Sequence, residues 1–237
     1  MFKKNMKIKH GMILAAGLGK RMQPLTLNKP KPLIKINNLC LLERAINLLI
    51  DFGVQEISIN THYLPEQIKN FINEKKFNAK INISNEIDLL LDTGGGVLAG
   101  TNNFNDNSFF VINPDTLWNK TYLEEVKKLE EIYFENNKPS LLLVDKKLSL
   151  DPSFVGDFNL QRGMISKDKE NRLVFTGLHI TNRSFLISEK LKVFSMNKIW
   201  NDLIKDKSLC GLESKNKFYH LNTFEMYNKI SNLKIID

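Results

Sequence analysis

The sequence predicts an α/β fold: a Rossmann-like, mostly parallel sheet with helices on both faces, and a smaller C-terminal α+β lid packed on it. Three observations carry this. Short apolar, β-branched runs alternate with segments of helical period through residue 147. Polar clusters follow the ends of successive strands, as they do where a parallel sheet binds ligands beyond its carboxyl edge. No Pro/Gly/Ser linker interrupts the 237 residues, so residues 1–237 read as one domain, with halves at 8–147 and 148–237.

In order, Ile8 to Ala16 is the first strand. Leu41 to Phe52 places Leu42, Ala45, Ile46, Leu49 and Phe52 at a helical period, with Gly53 closing it. Val54 to Asn60 alternates and is β-branched, hence a strand. Pro65 opens a helix with Ile68, Phe71 and Ile72 on one face. Lys80 to Ser84 is a short strand. Thr93-Gly94-Gly95-Gly96 opens a helix, Ser108 to Asn113 is the most apolar strand, Tyr122 to Phe134 is a helix, and Ser140 to Asp145 is a strand. Beyond residue 147, Phe154 to Ser166 and Arg172 to Ile180 read as strands joined by Lys169-Glu170-Asn171. Arg183 to Ile187 is a short helix. Met196 to Lys205 is helical, with Met196, Ile199, Trp200 and Leu203 on one stripe.

A net charge of +8 and a pI near 9.3 admit nucleic acid, an anionic membrane or a small anionic substrate as partner. The cations are scattered, with neither a recognition-helix pattern nor Cys/His finger spacing, so a lysine-rich solvated surface is the better reading. Cys40 and Cys210 are too few for a disulfide framework or a metal spacing, which fits a reducing cytosol. Lys3, Lys4, Lys7 and Lys9 before Met12-Ile13-Leu14-Ala15-Ala16 imitate a secretory leader. The apolar run is too short and Lys20-Arg21 follow directly. The expectation is a cytoplasmic protein with a short tail before its first strand and no membrane partner.

The chemistry concentrates in Leu14-Ala15-Ala16-Gly17-Leu18-Gly19-Lys20-Arg21-Met22, followed by Pro24-Leu25-Thr26 and Pro30-Lys31-Pro32-Leu33. Glycines let backbone N–H groups approach a phosphate, Arg21 offers a fork of donors, and Lys31 a point charge. The dinucleotide fingerprint fails because Met22 holds its third glycine position. The Walker loop fails because Leu14 and Arg21 stand where it needs Gly and Ser or Thr. The stretch resembles instead the signature of the sugar-1-phosphate nucleotidyltransferases. Asn60-x-His62, Asp92 to Gly96, Trp118 three residues after Asp115, and Phe175-Thr176-Gly177 resemble the subgroup of N-acetylmuramate-1-phosphate uridylyltransferases and mannose-1-phosphate guanylyltransferases.

That resemblance implies the nucleotide-diphospho-sugar transferase fold, with residues 8–147 as the nucleotide-binding half and 148–237 as the sugar-side half. It implies a reaction in which a sugar 1-phosphate attacks the α-phosphorus of a nucleoside triphosphate and pyrophosphate leaves, within nucleotide-sugar biosynthesis for the cell envelope. Arg21 and Lys31 are then catalytic. Leu14, Ala15, Ala16, Gly17, Gly19, Lys20, Asn60, Asn85, Thr93 and Gly94 line the nucleotide, and Glu86 and Asp157 border the sugar. Asp115 holds Mg²⁺, unless it is only a helix cap. Glu86 is equally readable as a solvated loop carboxylate, and Asp157 as a turn former. Three departures stand out: Pro114 replaces the glycine of a Gly-Asp pair, and in His220-Leu221-Asn222-Thr223 a histidine and an asparagine replace the aspartate and glycine of Asp-x-Gly-Thr. His220 then binds metal, contacts a substrate phosphate, or is structural. UTP with N-acetylmuramate 1-phosphate is the leading substrate pair, followed by GTP with mannose 1-phosphate and a choline-phosphate type acceptor. A non-catalytic nucleotide or sugar sensor and a basic nucleic-acid module are the other classes, and no nucleic-acid partner is expected.

Overall fold

A computed structural model describes residues 7–104 and 108–233; of the tail expected before the first strand, residues 1–6 lie outside them. The strands are β1 (His10–Leu14), β2 (Lys35–Ile36), β3 (Leu39–Cys40), β4 (Glu56–Thr61), β5 (Lys80–Asn85), β6 (Ser108–Ile112), β7 (Ser140–Asp145), β8 (Asn159–Gln161), β9 (Met164–Ser166), β10 (Leu173–Asn182) and β11 (Cys210–Ser214). The helices are α1 (Leu41–Phe52), α2 (Pro65–Lys75), α3 (Asp92–Gly100), α4 (Leu123–Asn136), α5 (Met196–Lys205) and α6 (Phe224–Ser231).

Nine strands form one sheet in the order β5-β4-β1-β6-β10-β7-β11-β9-β8, and β2 pairs β3 apart from it. The contiguous block β5-β4-β1-β6 is parallel, so its four carboxyl ends emerge on one edge. Consecutive side chains on these strands enter opposite cores, as the period of two demands. Ile13, Phe110 and Ile112 pack with the apolar stripes of α1 and α4. Met12, Phe109 and Val111 pack with Val97 of α3 and Ile199 and Trp200 of α5. Both faces are covered, which is why these strands read as unbroken apolar runs.

The sequence places α1, β7 and α5 at their observed bounds. Helix α1 starts because the Cys40 sulfur accepts the Glu43 N–H at 3.4 Å, and it stops at Gly53, where φ is 109°. The second half joins differently from a lid resting on a sheet. Strand β10 inserts antiparallel between β6 and β7, and β11 runs parallel beyond β7, so the two halves share the sheet. The single strand expected over 154–166 is a hairpin of β8 and β9. Arg162 and Gly163 both have positive φ, 50° and 78°, which makes a two-residue turn.

Strand β11 and helix α6 are not foreseen from the sequence. Helix α6 sets its Met226 and Ile230 against Met22, Ile34, Ile36 and Leu117. It thereby supports the two short turns, Lys20–Met22 and Lys31–Leu33, that carry the expected catalytic cations. No helix among the described residues is long and apolar enough to cross a membrane.

Candidate active site

At the carboxyl edge of the parallel block lies a cavity of about 490 Å³, the size of a nucleotide-scale ligand site. Leu14 through Met22, Lys31, Asn60, Glu86, Asp92, Thr93, Asn113, Pro114, Asp115 and Asn222 contribute to its wall. Strand exits from β1, β4, β5 and β6 therefore meet at one hollow, as the sheet-edge rule requires. Among the described residues, the backbone N–H groups of Ala16, Gly17, Leu18 and Gly19 have no protein acceptor. Gly17 faces open space, since a Cβ there would meet nothing within 4 Å. Gly19 sits at φ 65°, a conformation that glycine adopts without strain. The Thr26 hydroxyl fixes the loop by donating to the Gly19 carbonyl at 2.8 Å.

One end of the cavity is a closed network. The Asn60 side-chain oxygen accepts the Ala15 N–H at 2.7 Å, and its amide nitrogen donates to Glu86 Oε1 at 2.6 Å. Glu86 Oε2 accepts the Leu91 N–H at 2.9 Å. Glu86 is 4% exposed, so neither a solvated loop carboxylate nor a freely offered sugar ligand describes it. It lies on the β4–β5 side and orients Asn60. Helix α3 can approach this pair only because residue 96 is glycine. A Cβ there would sit 2.7 Å from the Asn60 amide nitrogen and 2.8 Å from Glu86 Oε1.

The other end is charged. Lys31 Nζ donates to Asp115 Oδ2 at 2.6 Å, and His220 Nε2 lies 3.7 Å from the same oxygen. Burial pushes the Asp115 carboxyl up, but the Lys31 ammonium, His220 and the Lys31 hydrogen bond outweigh it and hold the group at about 2. Asp115 is thus ionised across the physiological range. Burial drives the His220 pKa down against the pull of Asp115, which leaves a neutral imidazole. Asp115 Oδ1 is buried and has no hydrogen-bond partner, a state that costs about 1–3 kcal/mol unless a ligand fills it. The loop that presents Asp115 is clamped from behind. Asn113 N–H donates to the Gly177 carbonyl at 2.7 Å, the Thr116 hydroxyl to the Thr176 carbonyl at 2.6 Å, and Trp118 Nε1 to the Asn113 carbonyl at 2.8 Å. Phe175-Thr176-Gly177 and Trp118 are therefore supports of the Asp115 loop.

The cavity gathers Arg21, Lys31, Leu14, Ala15, Ala16, Gly17, Gly19, Lys20, Asn60, Thr93, Glu86 and Asp115. It does not gather Asn85, Gly94, Asp157 or His220. Asn85 turns outward to accept from the Thr61 hydroxyl at 2.7 Å. The Gly94 N–H is taken by the Phe194 carbonyl at 2.8 Å, and a Cβ there would meet the Phe194 ring at 2.3 Å. Its glycine serves packing, and the N–H groups of Gly94 and Gly95 are not available to a nucleotide. Asp157 accepts the Phe175 N–H at 2.9 Å and so braces β10. His220 stacks on Phe218 at 5.7 Å, behind the Asp115 carboxylate. The sequence reading missed Asp92 and Asn222 as wall residues. Asp92 carries a signal in hindsight: it sits at φ 60°, where Asp is among the few tolerated side chains, with Oδ1 accepting the Thr93 N–H.

Among the described residues no group of three or more His, Cys, Asp or Glu is placed to hold a metal ion. The donors present still fit Mg²⁺, which is often held by one or two carboxylates plus substrate phosphates. Asp115 Oδ1 is the buried oxygen awaiting a partner.

Comparison with known proteins supplies the family. The family model described as nucleotidyl transferase matches residues 10–147. The chain is 27% identical over 221 residues to N-acetylmuramate alpha-1-phosphate uridylyltransferase of Caulobacter vibrioides, covering 90% of this chain and 91% of that one. It is 30% identical over 211 residues to mannose-1-phosphate guanyltransferase 2 of Candida glabrata, covering 84% of this chain but 57% of that longer one. The crystal structure of HddC from Yersinia pseudotuberculosis superimposes with a TM-score of 0.77 at 22% identity, over 94% of this chain and 98% of the other, which establishes the shared fold. The matched region holds the glycine loop, both turn-borne cations and Asp115 around one cavity, and the chain belongs to the nucleotidyl transferase family of enzymes.

Proposed function

We propose that the protein joins a nucleoside triphosphate to a sugar 1-phosphate, releasing pyrophosphate and an NDP-sugar. The observation that carries this is the convergence of the Ala16–Gly19 segment, Arg21, Lys31 and Asp115 on one cavity of nucleotide size. In this reading the glycine loop cradles the triphosphate and Arg21 holds the β- and γ-phosphates that leave. An ammonium has three donors. Lys31 spends one on Asp115 and can offer two to the α-phosphate and the incoming phosphate, which otherwise repel. An oxygen of the sugar phosphate forms the new bond to the α-phosphorus as the α–β bridging oxygen departs. The attacking group is already an anion, so no side-chain base is required, and catalysis is alignment and charge neutralisation. Asp115 would hold Mg²⁺, which when bound neutralises phosphate charge and templates the in-line geometry.

UTP with N-acetylmuramate 1-phosphate is the substrate pair we favour, supported by the Caulobacter relative that aligns with 90% of this chain. GTP with mannose 1-phosphate is supported by the 30% identity to the Candida protein. Two unpaired buried thiols, Cys40 and Cys210, fit a cytoplasmic setting. A grid of UTP, GTP, CTP and dTTP against sugar 1-phosphates, read by pyrophosphate release, tests the proposal. Turnover highest with UTP and N-acetylmuramate 1-phosphate supports it, and preference for another pair reassigns the substrate. Nucleotide binding without turnover in every cell of the grid would make the protein a sensor.

A further inference from the structure

Asn222 is the wall residue whose chemistry the reaction has not used. The segment that carries it is stitched beside the Asp115 loop: Leu221 N–H donates to the Asp115 carbonyl at 2.8 Å, and Leu117 N–H to the Tyr219 carbonyl at 2.9 Å. Asn222 Nδ2 donates to Asp151 Oδ2 at 2.8 Å. Asp151 is 8% exposed, and its other oxygen already accepts the Ser153 N–H and hydroxyl at 2.9 and 2.6 Å. An ionised carboxylate only accepts, so it fixes which end of the carboxamide turns toward it. The NH₂ faces Asp151, and the carbonyl oxygen is left at the opposite end. That oxygen is buried without a hydrogen-bond partner, and so is Asp115 Oδ1. Two hard oxygens of one cavity wall are thus stripped of water and of donors, at a cost of about 1–3 kcal/mol each. Both residues line the one cavity, and oxygen is the donor type that a divalent cation such as Mg²⁺ prefers to imidazole. His220 is the poorer candidate: its Nδ1 is also buried without a hydrogen-bond partner, but the residue is absent from the cavity wall and its ring packs on the Phe218–Phe154 pair.

We propose that Asn222, held in one orientation by Asp151, ligates the divalent cation together with Asp115, and that His220 does not. Asp151 is then a positioning residue. The inference rests on the nucleotidyltransferase reading only in taking a cation to bind at Asp115.

The test is Mn²⁺ binding to the whole chain, free Mn²⁺ being counted by electron paramagnetic resonance, with thermal unfolding measured alongside. Asn222→Leu should weaken Mn²⁺ binding roughly tenfold or more. Asp151→Asn is the sharper variant. Its new amide can donate to the Asn222 carbonyl, so the pair survives with the carboxamide reversed and an NH₂ facing the cation. Binding should fall by a similar factor while the unfolding temperature stays within about 2 °C of the parent, because the hydrogen bond is kept. His220→Gln should leave affinity within about twofold, well below the change expected for a lost ligand. Unchanged Mn²⁺ affinity in both Asn222→Leu and Asp151→Asn would overturn the inference, as would a tenfold loss in His220→Gln. If Asp115→Asn abolishes binding while Asn222→Leu does not, the inference fails and the nucleotidyltransferase reading stands. If the parent chain binds no Mn²⁺, both the inference and the assignment of metal to Asp115 fall.

Discussion

Among the described residues, Asn60 and Glu86 at the β4–β5 end of the cavity have every side-chain nitrogen and oxygen partnered, whereas at the β6 end two buried oxygens have no hydrogen-bond partner. Asn60 and Glu86 satisfy each other and two backbone N–H groups, Ala15 and Leu91. Asp115 and Asn222 each keep an unfilled oxygen beside an ammonium that is only partly used. The first end is finished on folding and presents a fixed shape. The second is left incomplete, and in the proposed function charged ligands would complete it. Hydrogen bonds to charged groups contribute about 1.5–3 kcal/mol, so the closed network repays its burial while the open one stores a deficit that binding relieves.

This contrast can be broken first at Lys31. Lys31→Ala should lower kcat on the order of 10²–10³-fold, the size of a lost transition-state donor, and should leave the fold intact. A rate within threefold of the parent would remove Lys31 from the mechanism. Next, Asp115→Asn should lose roughly 10–100-fold in apparent Mg²⁺ affinity, with the deficit greatest when Mg²⁺ is limiting. An unaltered Mg²⁺ titration curve would reduce Asp115 to a structural cap. At the closed end the effect should shift from rate to stability. Asn60→Ala unpairs Glu86 Oε1 and the Ala15 N–H, and should cost about 2–4 kcal/mol. It should raise KM for the nucleotide several-fold with a smaller change in kcat. A large fall in kcat with no loss of unfolding temperature would erase the distinction between the ends. Smallest of all, Asp157→Ala should leave KM for the sugar phosphate within about twofold, costing about 1 kcal/mol of stability through the lost Phe175 N–H bond. A tenfold rise in that KM would restore Asp157 to the sugar site.

The parallel block was readable in the sequence because its strands are buried on both faces and its helices carry clear apolar stripes, as in α1 and α5. The glycine loop, Lys31 and Asp115 were readable because fixed spacing at strand exits is a local property. What was hidden depends on distant partners. Strand β11 is too short and mixed to announce itself, and it is a strand because β7 lies beside it. Gly94 looked like a nucleotide contact, but Phe194, a hundred positions on, takes its N–H. Glu86 reads in the sequence as a sugar contact or, equally, a solvated carboxylate, whereas it is buried and bonded to Asn60 and the Leu91 N–H. Asn222 stood in the sequence only as a departure from a motif, and its role depends on Asp151, seventy-one positions away. His220 stands at the motif's acidic position, yet it packs on Phe218 and Phe154 beside Asp115 and does not line the cavity.

The most direct measurement is pyrophosphate release by the unaltered chain with UTP, N-acetylmuramate 1-phosphate and Mg²⁺, omitting each component in turn. The account predicts release that requires all three and that yields one NDP-sugar for each pyrophosphate. Tight binding of nucleotide with no pyrophosphate from any triphosphate and sugar phosphate pair would contradict it.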